Sequence, residues 1–195
     1  MRIGILGGSF DPIHLGHLIV AETACEELSL DRLLFVLAPS PPHKQDQTLA
    51  PATHRLAMLE LALSCNPRFA PSTIEWQRPG PAYTVDTLAA LKAQPDYGDA
   101  RFYFIIGMDS LVAFHNWRDP EGIMQIATLV VYPRAGFRTE DADQRFSERC
   151  HFLRGPLVEV SATEIRQWVR TGRSIRYWIP ESVRAYIEAN RLYRE

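Results

Sequence analysis

The chain is poor in cysteine, and its cysteines do not form a metal-binding or disulfide pattern. Cys25, Cys65 and Cys150 are the only three among 195 residues, and they lie far apart with no Cys-x-x-Cys spacing. An odd number of widely separated thiols argues against both a zinc module and a disulfide framework. The simplest interpretation is that they are reduced thiols in a cytoplasmic protein.

Long apolar runs and an excess of positive charge are also missing. The apolar segment after Met1 breaks at Gly7-Gly8, so we expect neither a signal peptide nor an anchor. No stretch approaches the length of a transmembrane helix. The net charge is −2 at pH 7, whereas nucleic-acid binders are usually basic. We therefore expect no membrane and no nucleic acid among the partners, although a local basic patch could still bind a small anion.

The two common nucleotide-binding loops, GxxxxGK[ST] and GxGxxG, are absent as well. Instead, Gly7–His17 reads GGSFDPIHLGH between a short apolar strand and a periodic helix. A strand, a glycine turn and a helix start present backbone N–H groups to an anion. His14 and His17 are expected on one helix face, and Gly16 between them leaves room for a ligand. This combination predicts chemistry on a nucleotide phosphate, although a lone histidine is more often a packing residue.

Apolar segments of strand length alternate with segments of helix length along the chain. This alternation predicts an α/β fold, a Rossmann-like doubly wound parallel sheet with helices on both faces and a small C-terminal helical part. Apolar residues make up 46% of the sequence, which is enough for a sizeable core. We expect a single domain over residues 1–195, with the helical portion from about 161 to 195 packed on it.

The expected elements set the positions of the loops. The expected strands cover Arg2–Leu6, Arg32–Ala38, Phe69–Trp76, Phe102–Ile106, Leu129–Tyr132 and Val158–Val160. The expected helices cover Leu15–Leu28, Pro51–Ser64, Thr84–Leu91, Ser110–Phe114, Pro120–Ile126, Ser161–Val169 and Pro180–Leu192. A polar surface loop is expected over Arg134–Gln144. Ligands of such sheets collect at the carboxyl ends of the strands. The loops there span 7–13, 39–46, 107–109 and 133–136.

The segment Gly7–His17 resembles the HxGH nucleotidyltransferase superfamily, whose members join a nucleoside triphosphate to a phosphate-bearing acceptor and release pyrophosphate. Further segments are similar to one branch, the bacterial nicotinate-nucleotide adenylyltransferases. In that family's order they are Pro41–Lys44, Tyr83–Leu88, Ile106–Leu111, Phe114–Trp117, Ser161–Arg166 and Pro180–Ile187. The resemblance covers essentially the whole chain. It implies transfer of AMP from ATP to nicotinate mononucleotide, giving deamido-NAD and pyrophosphate in NAD biosynthesis.

The resemblance also implies which residues act on ATP. A phosphate monoester is largely dianionic at neutral pH, so the site needs hydrogen-bond donors rather than a base. The implied catalytic residues are His14, His17 and Arg166, with His17 the more central histidine. The implied ATP-binding residues are these three together with Gly7, Gly8, Ser9, Phe10, Gly107, Asp109, Ser161 and Thr163. Ser161 would open a helix with a capping box, and with Thr163 it would meet the β- and γ-phosphates. Taken alone, that segment is an ordinary cap, with Arg166 a solvated side chain.

A second group of residues is implied for the acceptor nucleotide. It comprises Lys44, His43, Tyr83, Thr84, Trp117, Asp109 and Arg134. Lys44, in a proline-rich loop, would present a cation to the acceptor phosphate, and His43 is either a ligand or a packing residue. Trp117 would stack on the pyridine ring, or else anchor the core. Backbone N–H groups at Tyr83 and Thr84 would bind the nicotinate carboxylate.

Asp109 follows a strand end, where it would meet ribose hydroxyls or a magnesium-bound water, or else cap the next helix. We expect Mg²⁺ to arrive with ATP and pyrophosphate, with no dedicated protein site for the metal. The expected partners are ATP and nicotinate mononucleotide, and a homo-oligomer stays open.

Two other classes of function compete with this interpretation. One is a different enzyme on the same scaffold, such as a pantetheine-phosphate adenylyltransferase or a cytidylyltransferase. The segments Tyr83–Leu88 and Asn116-Trp117 argue against both of these. The other is a non-catalytic nucleotide sensor, which would tolerate loss of His14, His17 or Arg166, yet all three are present.

Overall fold

The computed structural model describes residues 1–39, 49–77 and 80–194, and these residues form a six-stranded parallel sheet. The strands are β1 (Arg2–Gly8), β2 (Arg32–Leu37), β3 (Phe69–Ser72), β4 (Arg101–Gly107), β5 (Ala127–Tyr132) and β6 (His151–Phe152). Their order across the sheet is β3-β2-β1-β4-β5-β6, and each neighbouring pair is parallel. The predicted Rossmann-like, doubly wound architecture is confirmed.

Helices connect the strands and follow the last of them. They are α1 (Leu15–Glu27), α2 (Ala52–Leu63), α3 (Thr84–Lys92), α4 (Met108–Val112), α5 (Pro120–Ile126), α6 (Gln144–Ser147), α7 (Ala162–Arg170) and α8 (Glu181–Ala189). Short 3₁₀ turns cover Ile74–Gln77, Phe114–Asn116 and Thr139–Asp141. None of the helices within the described ranges is long and apolar enough to cross a membrane.

The sheet carries an apolar core on each face. One core joins α1, α2, α7 and α8, and it includes Ala21, Met58, Ile165 and Val183. The other joins α3 and α5 to the opposite face around Leu88, Phe102 and Ile123. Because both faces are covered, the central strands are apolar without alternation, and residues 33–37 of β2 are all buried.

Several predicted boundaries are wrong, and most of the errors lie at the sheet edges. The predicted strand Val158–Val160 is irregular, and the edge position beside β5 is taken by His151–Phe152, paired with Val130 and Val131. The predicted strand Phe69–Trp76 stops at Ser72. A 3₁₀ turn follows, and the indole Nε1 of Trp76 donates to the carbonyl of Leu37 at 3.0 Å. An edge strand forms backbone hydrogen bonds with a neighbour on one side only. The apolar pattern of its sequence is therefore not enough to predict where the strand begins and ends.

Three other expectations need smaller corrections. The predicted loop Arg134–Gln144 contains a 3₁₀ turn and leads into α6, whose Phe146 is buried. The last helix begins at Glu181 with Pro180 as its N-cap, and it ends at Ala189 rather than near Leu192.

The strand order reverses between β1 and β4. From β1 the sheet grows through β2 to β3, and from β4 it grows the other way through β5 to β6. In open α/β sheets this switch point leaves a crevice outside the carboxyl ends of the two central strands. The loop from Gly8 to His14 leaves β1 there, and Gly107–Asp109 leaves β4 beside it.

Candidate active site

The two histidines lie at the start of α1 in close contact with each other. His14 occupies the N-cap position rather than the helix itself, and His17 lies in the first turn. Their rings stack with centroids 3.7 Å apart, and the backbone N–H of His14 donates to Nδ1 of His17 at 3.3 Å. Since Nδ1 of His17 accepts a hydrogen bond, the neutral ring carries its proton on Nε2. His17 is therefore built as a hydrogen-bond donor through Nε2.

The glycines of this loop make room for protein rings more than for a ligand. A Cβ on Gly16 would lie 3.0 Å from Nδ1 of His14, and one on Gly8 would lie 3.0 Å from the Phe10 ring. Among these three glycines, only Gly7 would direct a Cβ into space with no described atom within 4 Å. The Phe10 side chain is buried, so its predicted contact with ATP can come only from its backbone. We expected Gly16 to leave space for a ligand. In the structure, the His14 ring, which stacks on His17, occupies the space beside Gly16.

His14 is held in its neutral form. Its side chain is buried, and its Nδ1 has no hydrogen-bond partner in the described structure. Burial, with a smaller contribution from the positive charge of Arg134, lowers the pKa of His14 to about 4. A neutral imidazole has one donor and one acceptor nitrogen, so at neutral pH His14 offers a single donor.

The lowered pKa of His14 predicts a loss of stability in mild acid. Between pH 6.5 and about 4 the unfolded chain binds a proton at His14 that the folded protein does not. The unfolded state is therefore favoured as the pH falls, and the free energy of unfolding drops by up to about 3 kcal/mol across this window. Urea unfolding at pH 7 and pH 4.5 measures the drop. His14→Gln should remove this part of the pH dependence, and an unchanged slope in that variant would contradict the assignment.

The N-terminus of α7 lies against the N-terminus of α1. A Cβ on Gly16 would be 3.5 Å from Cβ of Val160, which immediately precedes Ser161. Two helix N-termini thus converge on one side of the crevice, each with its partial positive charge. Ser161 is the N-cap of α7, but its side chain makes no capping hydrogen bond, so the predicted capping box is wrong.

Arg166 is packed onto the loop that follows β1. Its Nη1 donates to the carbonyl of Asp11 at 2.8 Å, and its Nη2 donates to Oγ1 of Thr163 at 3.4 Å. Its side chain is 16% exposed, which rules out a freely solvated arginine. The structure therefore brings Arg166 and Thr163 to the same loop as His14 and His17.

Asp109 and Arg134 form an ion pair at the neighbouring strand ends. Nη1 of Arg134 donates to Oδ2 of Asp109 at 3.0 Å, while Oδ1 of Asp109 is buried without a partner among the described residues. A Cβ on Gly107 would collide with that Oδ1, so a side chain at this position would displace the Asp109 carboxylate. Gly107 is the N-cap of α4 and Asp109 makes no cap, so the capping alternative is wrong. The positive charge of Arg134 also contributes to lowering the pKa of His14.

The predicted acceptor residues form a second group at the start of α3. Tyr83 is the N-cap of α3 and Thr84 is its first residue. The Arg118 guanidinium lies 4.5 Å from the centroid of the Tyr83 ring, which joins this helix start to Trp117. Trp117 is half-buried, with its ring centroid 5.4 Å from that of Phe114 and 6.1 Å from that of Phe104. Trp117 therefore packs on the core, which was the alternative to stacking on the pyridine ring, but part of its side chain remains exposed to solvent. Two predicted residues, His43 and Lys44, lie outside the described residues.

Sequence reasoning missed a buried arginine under the loop. Arg55 of α2 is 1% exposed and donates to four backbone carbonyls. The acceptors are Ser9 at 2.9 Å, Ala38 at 2.7 Å, Pro39 at 2.6 Å and Ala50 at 2.9 Å. Arg55 thereby ties the loop after β1 to the chain on both sides of residues 40–48. No local signal marks it, because an arginine in a helix is usually exposed.

The fold and site define the class of the protein. Residues 5–168 match the family model described as cytidylyltransferase-like, and the chain is a nucleotidyltransferase of this kind. A Thermus thermophilus protein named "Probable nicotinate-nucleotide adenylyltransferase" is 47% identical over 194 residues, covering all of both chains. A protein of the same name from Thermomicrobium roseum is 46% identical and covers 99% of this chain and 92% of its own. The chain belongs to the family of nicotinate-nucleotide adenylyltransferases.

A solved structure agrees with this fold. The nicotinic acid mononucleotide adenylyltransferase of Plasmodium falciparum, complexed with NaAD, superposes with a TM-score of 0.80. The alignment covers 98% of this chain and 97% of that one at 20% sequence identity. At this identity the likeness concerns the fold alone.

Proposed function

We propose that the protein transfers AMP from ATP to nicotinate mononucleotide, forming deamido-NAD and pyrophosphate, a step of NAD biosynthesis. The observation that carries the proposal is the convergence of the N-termini of α1 and α7, with His14, His17 and Arg166, at the switch point of the sheet. The names of the full-length relatives support the same activity.

Adenylyl transfer at this site needs no general base. An oxygen of the acceptor phosphate bonds to the α-phosphorus of ATP as the bond from that phosphorus to the pyrophosphate oxygen breaks. The acceptor phosphate is already largely dianionic at neutral pH, because its second pKa is about 6. His17 would donate from Nε2 to the transferring phosphate, and Arg166 would stabilise charge on the leaving pyrophosphate.

Recognition of the acceptor is assigned to the second group of residues. The start of α3 offers backbone N–H groups to the nicotinate carboxylate, and the partly exposed face of Trp117 offers a surface for the pyridine ring. Arg118, held over Tyr83, adds a cation that favours an acid over an amide. Lys44 and His43 keep their predicted roles at the acceptor phosphate.

The proposal also covers the metal ion, the cellular location and the oligomeric state. Mg²⁺ would come with the triphosphate and neutralise its charge. The unpartnered Oδ1 of Asp109 fits a hydrogen bond from a magnesium-bound water or a ribose hydroxyl better than it fits a metal cage, which needs several ligands. We keep a cytoplasmic location as a prediction, and the oligomeric state stays open.

A comparison of acceptors tests the proposed function. Purified protein, Mg²⁺ and ATP are mixed with nicotinate mononucleotide, nicotinamide mononucleotide or phosphopantetheine, and pyrophosphate release is measured. We expect the nicotinate acceptor to be turned over fastest and phosphopantetheine not at all. CTP in place of ATP serves as the control for the nucleotide. Turnover with none of the acceptors would refute the enzymatic role, and a preference for phosphopantetheine would reassign it.

A further inference from the structure

The carboxylate of Asp11 connects the active-site loop to the C-terminus of the chain. Asp11 is fully buried. Its Oδ1 accepts a hydrogen bond from the Tyr193 hydroxyl at 2.6 Å and a longer one from the Ala50 N–H at 3.3 Å. Its Oδ2 has no hydrogen-bond partner in the described structure and lies 3.8 Å from Nη1 of Arg166. A buried carboxylate with one oxygen fully used and the other unused requires an explanation.

Arg166 is oriented by a backbone carbonyl and lies at ion-pair distance from the Asp11 carboxylate without a hydrogen bond to it. Its Nη1 is directed by the backbone carbonyl of Asp11 at 2.8 Å, while the carboxylate of the same residue stays too far away for a hydrogen bond. A bidentate pair with Asp11 would engage the guanidinium donors that a phosphate needs. The Tyr193 hydroxyl bonds to the other oxygen of this carboxylate, at 2.6 Å.

Tyr193 is suited to this task because it keeps its proton. Burial, together with the negative charge of Asp11, raises its pKa, so the hydroxyl donates at every physiological pH. The residue lies beyond the end of α8, with φ of 63° in the left-handed region, which few non-glycine residues adopt. The chain thus accepts an unfavourable backbone conformation at the position where the hydroxyl meets Asp11.

We propose that Tyr193 is a positioning residue for adenylyl transfer, acting through Asp11 to hold Arg166 available for the triphosphate of ATP. The predicted change in kcat rests on the proposed function, whereas the predicted change in the Kd for MgATP can be measured without it. It gives Tyr193, which lies 182 positions from Asp11 in the sequence, a role in orienting the side chain that binds the triphosphate.

Tyr193→Phe is the direct test, with Tyr186→Phe as a matched control. Both substitutions remove one hydroxyl near the C-terminus, but Tyr186 bonds to His54 at 2.9 Å and is not among the partners of Asp11. Without the Tyr193 hydroxyl, we expect the carboxylate to pair with Arg166. The Kd for MgATP, measured by calorimetry without acceptor, should then rise about tenfold, and kcat should fall by a similar factor. KM for nicotinate mononucleotide should not change, and Tyr186→Phe should match the wild type.

A double-mutant cycle separates positioning from a purely structural role. In an Arg166→Ala background, Tyr193→Phe should cause no further loss of kcat or ATP affinity, because the side chain through which it acts is gone. Independent, multiplying losses would overturn the proposal, as would equal ATP affinity in Tyr193→Phe and the wild type. If Tyr193→Phe does not fold, Asp11→Asn tests the same link, because a neutral amide cannot capture the Arg166 guanidinium as an ion pair. The Kd for MgATP should then equal or fall below that of the wild type, and a tenfold rise would overturn the proposal. Failure of the wild type to turn over any acceptor would refute the proposed function. The role of Tyr193 would then be decided by the Kd for MgATP alone.

Discussion

Replacing His17 with alanine is expected to lower kcat by about 10²–10³-fold while KM for ATP changes little. The Nδ1 of His17 is occupied by the N–H of His14, so its Nε2 is the donor that can strengthen as charge develops on the transferring phosphate. An interaction that is stronger in the transition state than in the ground state affects kcat rather than binding. Steady-state kinetics of pyrophosphate release measure both constants.

A second histidine provides the control for this experiment. His54 lies on α2 and bonds to Tyr186 at 2.9 Å, and it is not one of the residues assigned to the site. His54→Ala should leave kcat near the wild-type value. An unchanged kcat in His17→Ala, or equal losses in the two variants, would contradict the role assigned to His17.

Replacing Arg55 with methionine is expected to destabilise the protein by about 3–5 kcal/mol. The substitution keeps an unbranched apolar chain in the helix but leaves four backbone carbonyls without the arginine that donates to them. It also removes a positive charge near the buried carboxylate of Asp11, which is one of the groups that set the pKa of Arg55. Urea unfolding, followed by circular dichroism, gives the change in the free energy of unfolding.

Two further variants show whether the hydrogen bonds carry this effect. Arg55→Lys keeps the charge but cannot reach four acceptors with one ammonium group, so an intermediate loss is expected. Arg138→Met removes an exposed arginine whose ion pair within the described residues is with Glu140, and it should have little effect. A small loss in Arg55→Met, comparable with that of Arg138→Met, would show that the carbonyls find other donors.

The sequence alone determined the fold class and the chemical class of the site. Strands β1, β2, β4 and β5 are apolar over most of their length, because a sheet covered on both faces needs no alternation, and such runs are easily recognised. The loop Gly7–His17 could also be recognised from the sequence, because its glycines and histidines all lie within eleven consecutive residues. Local patterns like these need no knowledge of distant residues.

Only the tertiary structure decided how the side chains around that loop work. Arg55 and Tyr193 carry no local signal in the sequence, because each bonds to a distant residue of the loop after β1. Ser9 is 46 positions from Arg55, and Asp11 is 182 positions from Tyr193, so these contacts form only when the chain has folded. The same holds for Gly16, whose role is to let His14 stack on His17, and for Ser161, which opens α7 without capping it. Residue type and spacing set what a segment can do, whereas burial and long-range hydrogen bonds decide which of its groups remain available for a substrate.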